Sequence, residues 1–467
     1  MSAPPGAMNV LLVSTYDLGR QPFGLASPAA WLAEAGAMVR CLDLAVEDFD
    51  EAAVGAADLI GLFLPMHTAT RLAARLIPRL KALNPRARLC GFGLYAPLNA
   101  DHLAALGVDR VLGGEFETEL VQYYRDIQAG AATAGFAGVS LARQQFRVPD
   151  RSGLPGLERY AWLEAAGVSR QVASTEASRG CKHLCRHCPV VPVYKGQFRV
   201  IPVAVVMADI RAQVAAGATH VNFGDPDFFN GVGHALRLVQ ALHAEFPDIS
   251  YDATIKIEHL LKHAPALPVL AETGCLFVTT AVEAVDDRML ARLDKGHTRA
   301  DVVQAVDLAA KAGLALSPTF LPFTPWTTQA GYLDFLRFLA EHGLVESTQP
   351  VQLAIRLLLP RGSLLLELDD VRRHVQDFQA ESLAYPWRHP DPAVDRLQRR
   401  VETIVAESEA AGLSRSDIFA KIWNVARDAA GSCCAVPAVV PPAVAAARLS
   451  EAWYCCAEPT DGLLARV

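Results

Sequence analysis

Seven cysteines of this 467-residue chain are spaced for chemistry. Cys181-Lys-His-Leu-Cys185-Arg-His-Cys188 is a C-x3-C-x2-C group, and Cys433-Cys434 and Cys455-Cys456 are two adjacent pairs near the end. Thiolates are the usual ligands of iron–sulfur clusters, and three on one short loop can hold three irons of a four-iron cluster and leave the fourth open to a small molecule. Zinc is the alternative, but an ordinary zinc site takes four ligands, and His183 or His187 would have to supply the fourth from the same crowded loop. Within either tail pair a disulfide is disfavoured, because adjacent Cα atoms lie about 3.8 Å apart, below the roughly 4.4–6.8 Å usual for bridged cysteines. Three uses stay open for Cys433, Cys434, Cys455 and Cys456: a redox disulfide across the pairs, an auxiliary cluster, or capture of a soft, thiophilic substrate. Trivalent arsenic is such a substrate, and softness matching favours thiolate over carboxylate or imidazole for holding it. Cys41, Cys90 and Cys275 stand in apolar surroundings (VRCLDL, ARLCGFG, TGCLFV) and read as buried structural residues.

These thiols need elements to position them. Residues 8 to about 128 alternate short apolar runs (MNVLLVS, VRCLDL, LIGLFLP, ARLCGFG, DRVLGG) with helical patterns. Runs that are apolar throughout suggest strands buried on both faces, hence a doubly wound parallel sheet over residues 1–130. A Gly-, Ala- and Pro-rich stretch, 131–170, reads as a connection. The strand–helix rhythm resumes over 171–366 with THVNF, CLFVTTAV, LALSPTFLPF and VQLAIRLLL, which suggests a full or partial parallel barrel. Over 367–430, Val394, Leu397, Val401 and Ile404 keep helical spacing, Ser414 with Asp417 resembles a capping box, and Gly431 is a stop signal. Residues 431–467 form a Pro/Ala-rich tail bearing both cysteine pairs.

Composition narrows the function. Hydrophobic residues are 52% and charged residues 20%, which excludes a mainly disordered chain. The net charge is −7 and there is no basic block, so nucleic-acid binding gains no support. The longest uncharged stretch, Ala429 to Ala447, is broken by Pro437, Pro441 and Pro442, so no membrane span is expected. The first residues lack the cationic lead and apolar core of a secretory signal, and a cytoplasmic protein is expected.

The triplet and its surroundings resemble the radical S-adenosylmethionine (SAM) superfamily. Ala177-Ser178-Arg179-Gly180 leads into the first cysteine as in many members, and Pro189 and VYKGQFR are similar to the branch with a cobalamin-binding-type domain. So are Asn222 to Phe228, Ala281-Val282-Glu283 with Lys295-Gly296-His297, and Pro360 to Ser363. The resemblance covers roughly Gln171 to Leu366 and implies a partial (β/α)6 barrel with the cluster loop after its first strand. It implies that Cys181, Cys185 and Cys188 bind a [4Fe–4S] cluster whose open iron chelates SAM. It makes Asp225 and Glu283 candidates for the cofactor's amino group and ribose, and it implies an external electron donor such as a flavodoxin or ferredoxin. The N-terminal region resembles the cobalamin-binding domain through Asp58 to Pro65, Asn84-Pro85, Gly91-Phe92-Gly93 and Val108 to Leu120. No Asp-x-His-x-x-Gly group follows a strand, so the cobalt-ligating histidine usual in that domain is missing and cobalamin itself is doubtful. Trp453 to Pro459 is similar to a narrower group with a Cys-Cys-Ala-Glu-Pro tail, and within it to the branch acting in arsinothricin biosynthesis. That likeness implies transfer of the 3-amino-3-carboxypropyl group of SAM to arsenite, with the tail thiols presenting the arsenic. The alternatives are a radical methyltransferase working through a 5′-deoxyadenosyl radical, and a non-catalytic thiol protein that binds metalloids.

Overall fold

The protein is described by a computed structural model covering residues 7–445, 447–451 and 464. The apolar runs of the first half form the parallel strands β1 (Asn9–Ser14), β2 (Met38–Asp43), β3 (Leu59–Phe63), β4 (Arg88–Phe92), β5 (Arg110–Gly114) and β6 (Gly135–Ser140). Their order is β2-β1-β3-β4-β5-β6. Two apolar clusters, one on each face, explain why the runs show no alternation: Leu11, Val13, Ile60 and Leu62 point into one, Val10, Leu12, Leu59 and Phe92 into the other. The strand order reverses between β1 and β3, and at such a switch point a crevice opens at the carboxyl ends of the strands.

The second sheet follows as β7 (Trp162–Ala165), β8 (Val168–Thr175), β11 (His220–Phe223), β12 (Ser250–Thr254), β13 (Cys275–Glu283), β14 (Ala315–Phe320) and β15 (Arg448–Leu449), with a small hairpin of β9 (Ser178–Gly180) and β10 (Phe198–Val200) beside it. Its order is β14-β13-β12-β11-β8-β7-β15. Strands β8 and β11 to β14 run parallel, whereas β7 pairs antiparallel with both β8 and β15. The sheet curls into a half-barrel, so the α/β class with an N-terminal parallel sheet and a partial barrel is as expected. The helices Pro392–Ala410 and Arg415–Ala429 close its flank by burying Val394, Val401, Ile422 and Trp423 in the barrel's core cluster. Ser414 caps the second of these helices, its Oγ accepting from the Asp417 N–H at 3.1 Å.

Three segments differ from the sequence expectation. The connecting stretch 131–170 contributes β6 to the first sheet, and its Gly135 and Gly138 at positive φ erase the usual strand signal. β12, Ser-Tyr-Asp-Ala-Thr, is too polar to stand out, because its Ser250 and Asp252 pair with His220 inside the barrel at 2.9 Å each. VQLAIRLLL does not form a strand: it makes a 3₁₀ turn at Pro350–Leu353 and a single parallel bridge from Arg356 to Phe323. Cys41, Cys90 and Cys275 are buried as expected, and burial pushes the Cys41 thiol up to about 12. No helix among the described residues is long and apolar enough to cross a membrane.

Candidate cluster and cofactor site

The triplet sits on the loop between β9 and the short helix Val190–Tyr194, at the carboxyl-terminal mouth of the half-barrel. Gly180, just before Cys181, has φ +74°, and a Cβ there would lie 2.4 Å from the Gln197 carbonyl oxygen and 2.5 Å from the Tyr194 ring. Only glycine lets the chain turn into the loop. The turn is then held by Asn230, whose Nδ2 donates to the Gly180 carbonyl at 3.3 Å while its Oδ1 accepts from the Lys182 N–H at 3.2 Å. Asp225, at the end of β11, accepts from the Ala177 N–H at 2.9 Å and from the Ser178 hydroxyl. Burial pushes its carboxyl up to about 7. Both oxygens of Asp225 therefore hold the segment that leads into the triplet.

Burial also raises the thiols, Cys181 to about 11 and Cys188 to about 12. Cys185 is itself buried. The buried ammonium of Lys295 counters this: burial pushes Lys295 down, but Glu283 and then Cys185 and Cys188 hold it up and charged. Glu283, at the end of β13, has φ +70°, a strained setting for a side chain with a Cβ. Its Oε1 accepts from Lys295 Nζ at 3.4 Å and meets His187 Nε2 at 3.2 Å, which ties β13 to the cysteine loop. Burial works against the charge of Glu283, yet Lys295 and His187 together hold its carboxyl at about 2.

A pH dependence follows from that value. The folded pKa lies below the ordinary 4.5, so the stabilisation is complete above pH 4.5 and fades as pH falls towards 2. The shift corresponds to on the order of 3 kcal/mol. Thermal melts of the metal-free protein between pH 6 and 3 should show Glu283→Gln losing less stability on acidification than the unaltered chain. Equal acid sensitivity would contradict the assignment.

The donor set fits an iron–sulfur cluster. Three thiols share one half-buried loop with a buried cation beside it. Among the described residues, the grouping close enough to share a single ion is His183, Asp227 and His259, not the cysteines. Of the expected site residues, the structure thus gathers Cys185, Cys188 and Glu283 around Lys295, with Cys181 on the same loop and Asp225 holding the segment before it. Cys433 and Cys434 are exposed just beyond the helix Arg415–Ala429, and no hydrogen bond or apolar cluster among the described residues joins them to the triplet. Cys455 and Cys456 lie outside the described residues.

Sequence reasoning missed His187 as the partner of Glu283, and it placed Arg179 in the lead into the triplet without its contacts to the first sheet. The Arg179 guanidinium is buried and contacts Glu117 at 2.6 and 2.9 Å, Glu115 at 3.4 Å and Glu176 at 2.8 Å. Glu115 and Glu117 follow β5 of the first sheet, so the residue two before Cys181 bolts the two sheets together. A lone arginine beside a motif carries no pattern that would reveal this.

Comparison with known proteins agrees with this geometry. Residues 175–339 match the Radical SAM superfamily. The chain is 23% identical over 260 residues to the threonylcarbamoyladenosine tRNA methylthiotransferase MtaB of Rickettsia prowazekii, covering 51% of this chain and 54% of that protein. It is 26% identical over 174 residues to the ribosomal protein uS12 methylthiotransferase RimO of Syntrophotalea carbinolica, covering 35% and 38%. The chain thus spans about half the length of these relatives or less. Among solved structures it is similar to the radical SAM methyltransferase TsrM from Kitasatospora setae with cobalamin and a [4Fe–4S] cluster bound, at a TM-score of 0.65, 15% identity and coverage of 91% and 100%. It is also similar to the cobalamin-dependent SAM radical enzyme OxsB, at a TM-score of 0.67, 14% identity and coverage of 86% and 67%. At such identities the likeness is one of fold. The cysteine loop, its buried cation and most of the half-barrel thus fall within the residues, 175–339, that match the Radical SAM superfamily.

Proposed function

We propose that the chain transfers the 3-amino-3-carboxypropyl group of SAM to arsenite presented by the C-terminal thiols. The observation that carries this reading is where the tail returns. Glu451 Oε1 accepts from the Tyr16 hydroxyl at 3.0 Å, and Leu464 is buried against Tyr16, Leu18, Met66 and Tyr95, at the switch-point crevice of the first sheet. Leu94 and Leu98 pack both against that Leu464 cluster and against the apolar patch that includes Cys181 and Cys188. Both described flanks of the Cys455-Cys456 segment are therefore tied to the wall that the triplet shares. Soft thiols suit a thiophilic substrate.

Bound at Cys181, Cys185 and Cys188, the cluster would supply the electron that breaks a carbon–sulfur bond of SAM, and a second electron from the external donor, with a proton from solvent, would complete the trivalent carbon–arsenic product with loss of water. The chain's own part is placement. Lys295 keeps positive charge beside the thiolates, Glu283 and His187 fix the opposite wall, and the apolar residues around Leu94 and Leu98 exclude water. Anaerobically reconstituted, reduced protein given SAM and arsenite should release 5′-methylthioadenosine and an arsenic-containing amino acid. Release of 5′-deoxyadenosine alone, with no arsenic product, sinks the reading.

A second reading is cobalamin-assisted methyl transfer. It is favoured by the fold shared with TsrM and OxsB across both sheets. Corrinoid retained by the purified protein, together with methylated product, would select it.

A further inference from the structure

A second cluster of ligating side chains lies beside the triplet and takes no part in the reaction above. We propose that His183, Asp227 and His259 form a binding site for a divalent transition metal, zinc by preference, separate from the cysteine triplet. One ring nitrogen from each histidine and a carboxylate oxygen of Asp227 lie within 4.8 Å of one another. Asp227 Oδ2 is 2.7 Å from His259 Nδ1 and 3.6 Å from His183 Nε2, the three atoms that would bind the ion, and His259 meets His183 through its other ring nitrogen, Nε2 to Nε2 at 3.2 Å. Zinc–ligand bonds of about 2.0–2.1 Å set neighbouring tetrahedral ligands about 3.3 Å apart, within that spread.

The burial and hydrogen bonding of these groups point to a ligand. Asp227 and His259 are 2% and 1% exposed. The Phe229 N–H donates to Asp227 Oδ1 at 3.0 Å and fixes the carboxylate. Its other oxygen, Oδ2, and His259 Nδ1 have no hydrogen-bond partner, because at 2.7 Å they do not meet along an N–H direction. A histidine relay would account for the contact between the two rings but would leave these two buried atoms unpaired, at a cost of roughly 1–3 kcal/mol each. A cation between them satisfies both.

The three ligands come from separate elements at one end of the barrel. His183 is on the cysteine loop, Asp227 follows β11, and His259 lies on the helix Ile257–Lys262 after β12. Two further charges face the group. Lys256 Nζ is 3.2 Å from His183 Nδ1 and 3.1 Å from Glu258 Oε2, and Glu258 Oε2 is 3.6 Å from His183 Nδ1. When His183 ligates through Nε2, its Nδ1 carries the proton, so Lys256 Nζ, a donor 3.2 Å away, would turn fully onto Glu258, and Glu258 Oε2 at 3.6 Å would close in as the acceptor of an outer-shell carboxylate–histidine–metal arrangement. Two imidazoles and one carboxylate suit zinc or ferrous iron, and zinc binds such sets more tightly. Three protein ligands leave one position for a water or a substrate atom.

This inference does not depend on the arsenite reading. The test is made on reconstituted holoprotein incubated with zinc chloride and desalted anaerobically. Elemental analysis should find about one zinc per chain in addition to the cluster iron. Zinc-edge X-ray absorption should show a nitrogen/oxygen shell at about 2.0–2.1 Å and no sulfur shell near 2.3 Å. Asp227→Asn and His259→Gln should weaken zinc binding more than tenfold without lowering the iron content. Failure to retain zinc, or a sulfur shell placing the metal on the cysteines, overturns the proposal, and the spectrum of the unaltered chain decides even where a variant folds poorly.

Discussion

Cys185→Ala should empty the triplet of iron and bring SAM cleavage to background. Cys185 is 7% exposed and central to its loop, its carbonyl accepting from the Cys188 N–H at 3.1 Å. With one thiolate gone, two remain, and neither His183 nor His187 is free to replace it: His183 faces His259 and Lys256, and His187 is engaged by Glu283. The expected readouts are loss of the cluster's visible absorbance and iron, with far-ultraviolet circular dichroism unchanged, because the loop is held independently by Gly180, Asn230 and Asp225. Since the metal-free Cys181 and Cys188 thiols sit at about 11 and 12, loading must release protons, and reconstitution of the unaltered chain should improve from pH 7 to 9. Cys455→Ser with Cys456→Ser should behave oppositely, keeping the iron and losing the arsenic product. Iron retained by Cys185→Ala would remove the triplet from the cluster.

Arg179→Ala should be the most destabilising single change at the sheet-to-sheet contact. Arg179 meets three buried or half-buried carboxylates, and removing it strands Glu117 and Glu115, each 1% exposed or less. Breaking a buried ion pair from one side costs about 3–5 kcal/mol, which for units of this size lowers the melting midpoint by on the order of 10 °C. The pH dependence separates this cause from a mere cavity. In the intact chain burial works against the charge of Glu117, but Arg179 holds its carboxyl below the usual range. Without the guanidinium the folded pKa of Glu117 rises above its unfolded value, so the variant's stability falls as pH rises. Its deficit should therefore be smaller at pH 5 than at pH 8. A deficit independent of pH would mean that packing, not charge, is what Arg179 supplies. Arg179→Lys should recover only part of the loss, because one ammonium cannot reach three carboxylates as a guanidinium does.

What could be read in the sequence was whatever carried a local signal. β1 to β5 announced themselves because both faces are buried, and the triplet because three thiols on one loop have few other uses. β12 was hidden because its Asp252 is satisfied by His220 and Asn222 on the neighbouring strand, partners that no local pattern reveals. The ties from His187 to Glu283, from Arg179 to Glu117 and from His259 to Asp227 join residues 96, 62 and 32 positions apart. Such pairs exist only once the chain has folded, and no spacing rule predicts them. The capping of the last helix by Ser414 was legible for the opposite reason, since its donor lies three residues away.

The two-residue strand β15 bears on solubility. β7 would otherwise be the free edge of the second sheet, a short antiparallel strand flanked by the exposed Trp162 and Val168. Arg448 and Leu449 cover that edge, and the Ser450 N–H donates to the Trp162 carbonyl at 2.9 Å. An uncovered strand edge beside apolar side chains is a template for pairing with another molecule. The segment that leads to the terminal thiols therefore also guards the sheet against self-association, and a chain cut before Arg448 would expose an adhesive edge.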